Sequence, residues 1–164
     1  VTEPGGRGRV GIGYDLHRLG EGRPLWLGAV RIPHDRGLVG HSDGDVLCHA
    51  IADAILGAAA LGEIGALFPD TDPRFEGIAG SGILREVASR LGAAFLRLGN
   101  VDAVVIAEKP RLATHRDAMR DAIALALGVE PTRVSIKIKS NEGCEAIGRG
   151  DAIAAQAVAW VEAR

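Results

Sequence analysis

The stretch from His41 to Leu61 constrains the chain most. It opens on the polar turn His41-Ser42-Asp43-Gly44-Asp45 and runs on through Val46, Ile51, Ile55 and Leu56 among many alanines. Apolar residues three and four apart give a helix one apolar face, which has to be buried against another layer. Ser42 can cap this helix, with Asp45 three residues on as in a capping box, Asp standing in for Glu.

The remaining segments can supply that layer. Val10 to His17 begins with apolar alternation and ends in polar residues, which suits a strand. Leu25 to Ile32 reads as another strand or a hairpin arm, with Gly28-Ala29 as a turn or bulge. Residues 62–72 are loop-like, punctuated by Pro69 and Pro73. Ser81 to Leu91 is a second helix, and Ala113 to Leu127 a third, stopped by Gly128. Asn100 to Glu108 carries Val101, Val104, Val105 and Ile106, a buried strand that ends at Pro110. Val134 to Lys139 alternates apolar and polar residues as a half-exposed strand does. Ile153 to Val161 is ambiguous by pattern alone. Mixed strands and helices point to an α/β or α+β domain with a single sheet.

The chain of 164 residues suits one domain, and 47% apolar residues can fill a core. A net charge of −2 without a clustered basic face argues against a nucleic-acid binder. No apolar stretch reaches the roughly 18 residues a membrane helix needs. Residues 1–8 lack the apolar run of a secretory signal and read as a disordered lead-in to a domain over 9–164. Cys48 and Cys144 suit a reducing compartment, so a cytoplasmic protein is the default.

Metal-ligand chemistry is the clearest functional signal. Gly13-Tyr14-Asp15-Leu16-His17 puts a carboxylate and an imidazole two positions apart, on one face of a strand. Both can close on one ion. His49, on the polar side of the helix, is the candidate third ligand. Two His and a carboxylate leave a fourth position open, as catalytic zinc sites do. Asp45, His49 and Asp53 are spaced by four, so Asp45 or Asp53 can orient the His49 ring.

Three segments now stand in order: Gly13 to His17; His41 to Asp45 with His49; and Leu67-Phe68-Pro69-Asp70-Thr71-Asp72-Pro73. Gly99-Asn100-Val101-Asp102 and Gly148-Arg149-Gly150 follow. The ordered set resembles the 2-C-methyl-D-erythritol 2,4-cyclodiphosphate synthase family from about Arg9 to the C-terminus. The resemblance implies a sheet of about four main strands with helices on one side, plus a small hairpin. It implies that the last segment is a strand. It also implies a homotrimer whose sheets face the three-fold axis, with active sites between subunits. The implied activity is metal-dependent closure of 4-diphosphocytidyl-2-C-methyl-D-erythritol 2-phosphate to the cyclic diphosphate with loss of CMP, in non-mevalonate isoprenoid biosynthesis. The location implied is the cytoplasm, or the plastid stroma of a plant or alga.

By the same match Asp15, His17 and His49 hold zinc, and Glu142 holds a second cation, Mg²⁺ or Mn²⁺, at the diphosphate. His41 and Ser140 fall on positions that stabilise the transition state. Asp15, Leu16, His17 and Asp53 also contact substrate, and His41 and Ser42 face its methylerythritol end. The loop with Glu63, Ile64, Gly65, Phe68, Pro69, Asp70, Thr71 and Asp72 holds the methylerythritol. Ala107, Pro110, Arg111, Leu112 and Ala113 form the cytidine pocket. Lys139, Ser140, Asn141 and Glu142 line the diphosphate; Ala146 is a further substrate-binding position, and Arg149 contacts phosphate or ties subunits together. The chain departs from the pattern at Glu63, usually Asp, at Arg111, usually Lys, and at Glu145-Ala146, usually Gly and an aromatic. Two other readings share the metal site: a phosphohydrolase that activates water, and a zinc-stabilised trimer that binds cytidine nucleotides without turnover.

Overall fold

The computed structural model describes residues 8–164. Strand β1 (Arg9–Glu21) is followed by a hairpin, β2 (Leu25–Leu27) and β3 (Val30–Ile32), then the short β4 (Arg36–Leu38). Helix α1 (Val46–Ala59) and the single turn α2 (Ile64–Leu67) lead to α3 (Gly80–Ala93). The rest alternates: β5 (Leu96–Ile106), α4 (Arg116–Leu127), β6 (Val134–Lys139), the short α5 (Glu145–Gly148) and β7 (Ala152–Ala163). The five-stranded sheet runs β4-β1-β7-β5-β6. All its pairs are antiparallel except β5–β6. Those two are joined through α4, the crossover that a parallel pair needs.

Helix α1 lies on β1 and β7 at very short range because both surfaces are stripped of side chains. A Cβ added at Gly13 would sit 2.0 Å from the Ala50 carbonyl oxygen, and one at Gly11 2.1 Å from that of Ala54. Ala50, Ala54 and Ala58 of the helix and Ala155, Ala157 and Ala159 of β7 are buried. Leu25, Leu27 and Ile32 of the hairpin close the core at one end, with Met119 and Ile123 of α4.

The opposite sheet face is bare. Val10, Ile12, Tyr14, Leu16, Val158 and Trp160 project from it, with Val10 69% and Ile12 64% exposed. They are cross-strand neighbours, Val10 beside Trp160 and Ile12 beside Val158. Contiguous apolar surface of this kind marks an interaction site.

Several elements differ from the sequence expectation. Helix α1 starts at Val46, not near His41, because Gly44 takes a left-handed φ of 75° and Asp45 becomes the N-cap. Strand β5 starts at Leu96 and absorbs a bulge between Leu98 and Asn100, which breaks the alternation there. Residues 113–115 form a separate 3-10 turn before α4. Gly28 and Ala29 make the hairpin turn with φ of 58° and 62°, the mirror-image geometry that suits strand twist. Residues 152–163 are a central strand, whose small residues meet α1 on one side. The expected lead-in lies, but for Gly8, outside the described residues.

Candidate active site

The close contact of α1 with β1 decides where the ligands fall. Asp15 and His17 point to the helix side of β1, two and four residues beyond Gly13, and His49 precedes Ala50 on α1. The Asp15 Oδ2 atom lies 2.8 Å from His49 Nδ1 and 3.1 Å from His17 Nε2. Two ligands each ~2.0–2.1 Å from one tetrahedral ion stand ~3.3 Å apart, so the donor set fits zinc.

Each donor is held from behind. His17 Nδ1 lies 2.6 Å from the Val39 carbonyl oxygen. A carbonyl only accepts, so Nδ1 carries a proton; when Nε2 is protonated too it donates to Asp15 Oδ2, and loss of that proton frees its lone pair for an ion. His49 is 5% exposed, and its Nε2 lies 3.1 Å from Ser42 Oγ. Burial works against ionising Asp15. Hydrogen bonds from His17 and His49 overcome it and hold that carboxyl well below the usual carboxylate range. In return Asp15 raises the His17 pKa above the ordinary imidazole value, against the pull of burial.

Neither Asp45 nor Asp53 orients His49, contrary to expectation. Asp45 is the N-cap and is fully buried. Its carboxylate accepts from Cys48 N–H at 3.1 Å, Gly28 N–H at 2.9 Å and Ala29 N–H at 2.7 Å, tying the hairpin turn to the start of α1. Asp53 accepts from Ile64 N–H at 2.8 Å and so holds α2. The partner of His49 is Ser42, expected as the cap. Its hydroxyl is free of that role because the helix begins four residues later.

A cleft of about 360 Å³ opens over the three donors. Of the candidate substrate residues, His41, Ser42, Ile64, Gly65, Phe68 and Asp70 line it, together with Phe75, Ile78 and Ile83, which sequence reasoning did not single out. Phe75 and Ile78 gave a faint signal, isolated apolar residues in a polar stretch after Pro73, and Ile83 fell inside the second expected helix. Glu63 is exposed beside this loop, Pro69 and Thr71 lie within it, and Asp72 instead caps the next turn through Arg74 N–H at 3.0 Å. Leu16 projects from the bare sheet face, away from the cleft, because neighbours on a strand point to opposite sides. The Leu112 side chain is buried in the core, leaving only its backbone for a ligand.

The remaining candidates gather elsewhere. Ala107 N–H donates to the Lys139 carbonyl at 2.9 Å, which brings the loop with Pro110, Arg111 and Ala113 beside the end of β6. Ser140 Oγ donates to Glu142 Oε1 at 2.6 Å, and Asn141 Nδ2 donates to the Cys144 carbonyl at 2.8 Å. Ala146 is half-buried, and Arg149 is exposed and paired with Asp151 at 3.0 Å. Asp15 is level with Ala155, Val105 and Ile138 across the sheet, so this second group stands at the same end as the metal donors but three strands away. Three strand spacings come to ~14 Å.

Comparison with known proteins gives a consistent set of matches. The YgbB family profile matches residues 8–162. A 2-C-methyl-D-erythritol 2,4-cyclodiphosphate synthase of Burkholderia thailandensis is 55% identical over 153 residues, 93% of this chain and 94% of the relative. Among solved structures, the bifunctional IspDF from Campylobacter jejuni superposes with a TM-score of 0.93 at 37% identity. The match covers 98% of this chain but 44% of that one, so the chain spans less than half of the bifunctional protein. A 2C-methyl-D-erythritol-2,4-cyclodiphosphate synthase with CDP bound superposes at 0.85 with 38% identity, covering 93% of this chain and 99% of the other.

Proposed function

The chain belongs to the YgbB family, that of the 2-C-methyl-D-erythritol 2,4-cyclodiphosphate synthases, and on that premise we propose how its residues divide the work. The reaction is closure of 4-diphosphocytidyl-2-C-methyl-D-erythritol 2-phosphate to the cyclic diphosphate, with release of CMP, in isoprenoid precursor synthesis. An oxygen of the 2-phosphate attacks the β-phosphorus. The bond from that phosphorus to the CMP oxygen breaks, and an eight-membered ring closes. Both reacting groups are already phosphates, so no protein nucleophile is needed and positioning carries much of the catalysis.

The synthase domain spans 9–164 and acts as a metal-dependent phosphorus–oxygen lyase. Asp15, His17 and His49 would hold zinc, which would supply Lewis-acid chemistry. Glu142 would hold a second divalent cation, Mg²⁺ or Mn²⁺, to offset the charge of the diphosphate. His41 and Ser140 stabilise developing charge on the transferring group. The cleft from Ile64 to Asp70 seats the methylerythritol carbons, and the 107–113 loop seats the cytidine. Lys139 to Glu142, with Arg149 nearby, face the diphosphate.

Metal donors and the Ser140–Glu142 group stand ~14 Å apart in one subunit. A neighbouring copy supplies the missing half of each site in a homotrimer. The bare apolar face of Val10, Ile12, Tyr14 and Trp160 supports packing of the sheets about a three-fold axis. Such enclosure keeps out water, which would divert the phosphoryl group to hydrolysis. Among the described residues no helix is long and apolar enough to cross a membrane. The enzyme works in the cytoplasm, or in the plastid stroma of a plant or alga.

One observation carries the reading: three donors of zinc-binding type, all within 4.8 Å of one another, at the floor of a cleft lined by the methylerythritol loop. The test is incubation with the CDP-linked substrate and Mg²⁺, followed by phosphorus NMR. Equal appearance of CMP and cyclic diphosphate is expected, and chelation should stop it while the subunits stay folded. Linear phosphate products would assign the site to hydrolysis instead.

A further inference from the structure

The cleft has two walls that belong to different parts of the chain. One carries His41, Ser42 and the metal donors. The other carries Phe75, Ile78 and Ile83, from the segment before α3 and from its first turn. Besides the packing of α3 on α1, hydrogen bonds around Asp43 join them. Asp43 Oδ2 accepts from Gly80 N–H at 2.8 Å, and Asp43 Oδ1 accepts from Asp45 N–H at 3.1 Å. Asp43 N–H donates to the Ile78 carbonyl at 3.1 Å, and Gly77 N–H donates to the His41 carbonyl at 2.9 Å.

Helix α3 provides no cap of its own, since its N-cap is Ala79. A carboxylate at a helix N-terminus satisfies a free N–H and meets the positive end of the dipole. Here that carboxylate comes from another loop. Gly80 is also pressed against α1, where an added Cβ would meet Cys48 Cβ at 2.8 Å and Asp45 Cβ at 3.0 Å. The start of α3 therefore has one seat, and Asp43 holds it there.

We infer that Asp43 is a positioning residue for the reaction: by capping α3 across the cleft, it sets the apolar wall of Phe75, Ile78 and Ile83 at the distance that fits the branched carbon skeleton of the substrate. The inference rests on the proposed function. The Asp43 carboxylate accepts from Gly80 and Asp45 and makes no hydrogen bond to Asp15, His17 or His49, so zinc content is measured beside KM to separate substrate fit from the metal.

The test compares Asp43→Ala and Asp43→Asn with the parent, all zinc-loaded. Asp43→Ala should raise KM about tenfold, the scale of one lost cap, with kcat within about threefold and zinc content unchanged. Asp43→Asn, with one acceptor oxygen left, should recover part of the loss and serves alone if the alanine variant fails to fold. Amide exchange at Gly80 should quicken in both, a readout that needs no turnover. Adding Ile83→Ala should make the Asp43 effect on KM smaller than in the parent, since the same wall is already spoiled. A lower Tm with unchanged KM would make Asp43 a structural cap only, and loss of zinc would place it in the metal site; either overturns the inference. Failure of the parent to form cyclic diphosphate would instead refute the proposed function, leaving the exchange result to stand separately.

Discussion

Replacing Gly13 by alanine should undo the metal site from outside it. The new Cβ would lie 2.0 Å from the Ala50 carbonyl oxygen and 2.8 Å from Ala54 N. Ordinary contact begins at 3.4 Å, so helix and strand must part by about 3.4 − 2.0 = 1.4 Å. The obstructing atoms are backbone, and no rotamer change can relieve them. His49 precedes Ala50 and moves with it, while Asp15 stays on the strand. Ligand distances tolerate only about ±0.2 Å, so the displacement exceeds the tolerance about sevenfold. Overpacking of this kind costs about 1–3 kcal/mol, or roughly 2–12 °C in Tm for a domain of this size. The assay pairs thermal unfolding by circular dichroism with zinc per subunit after dialysis. Gly11→Ala is the control. It strikes Ala54 O at 2.1 Å, one helical turn farther from His49, and should lower Tm similarly while keeping more zinc. A Gly13→Ala protein with parental Tm and a full zinc complement would refute the reasoning.

Three further outcomes can be checked. Ser42→Ala removes the hydroxyl behind His49 and should weaken zinc about 10–100-fold in a competitive chelator titration, with the fold intact. Ala60→Gly should stabilise by about 0.5–1 kcal/mol. Ala60 closes α1 at a left-handed φ of 57°, which costs alanine more than the extra chain entropy costs glycine, and urea unfolding measures the difference. Zinc should be released as pH falls. The Asp15 carboxylate raises the His17 pKa, so in the metal-free protein protons compete for that ring from a higher pH than for a free imidazole, near 6.5. Zinc content measured across pH 5 to 8 tests the sign.

The pairing of the candidate donors Asp15 and His17 is legible because strand period is a local property: they share a face whatever the tertiary structure does. Their meeting with His49 was not local. It depends on Gly11 and Gly13 facing Ala50 and Ala54, a match between bare surfaces that no periodicity reports. The role of Asp45 was misread for a related reason. Sequence spacing suggested a helix position beside His49, but Gly44 turned the chain, and the carboxylate found backbone donors in the hairpin, 16 and 17 residues back. Strand β7 stayed ambiguous because one of its faces is nearly all alanine, small enough to suit a helix equally well. Phe75 and Ile78 lie in a short 3-10 turn and the loop after it, where apolar residues carry no period to read, and the place of Ile83 beside the cleft depends on how α3 is seated.

The width of the sheet has a genetic consequence. With candidate donors on β1 and α1 and the Ser140–Glu142 group past β6, the proposed site would take its two halves from different polypeptides. A chain broken in the first half and a chain broken in the second, such as His49→Ala and Glu142→Ala, are each dead alone. Co-expressed and assembled at random, they rebuild about one intact site in four. Two null alleles would then complement each other, whereas two lesions in the same half never would.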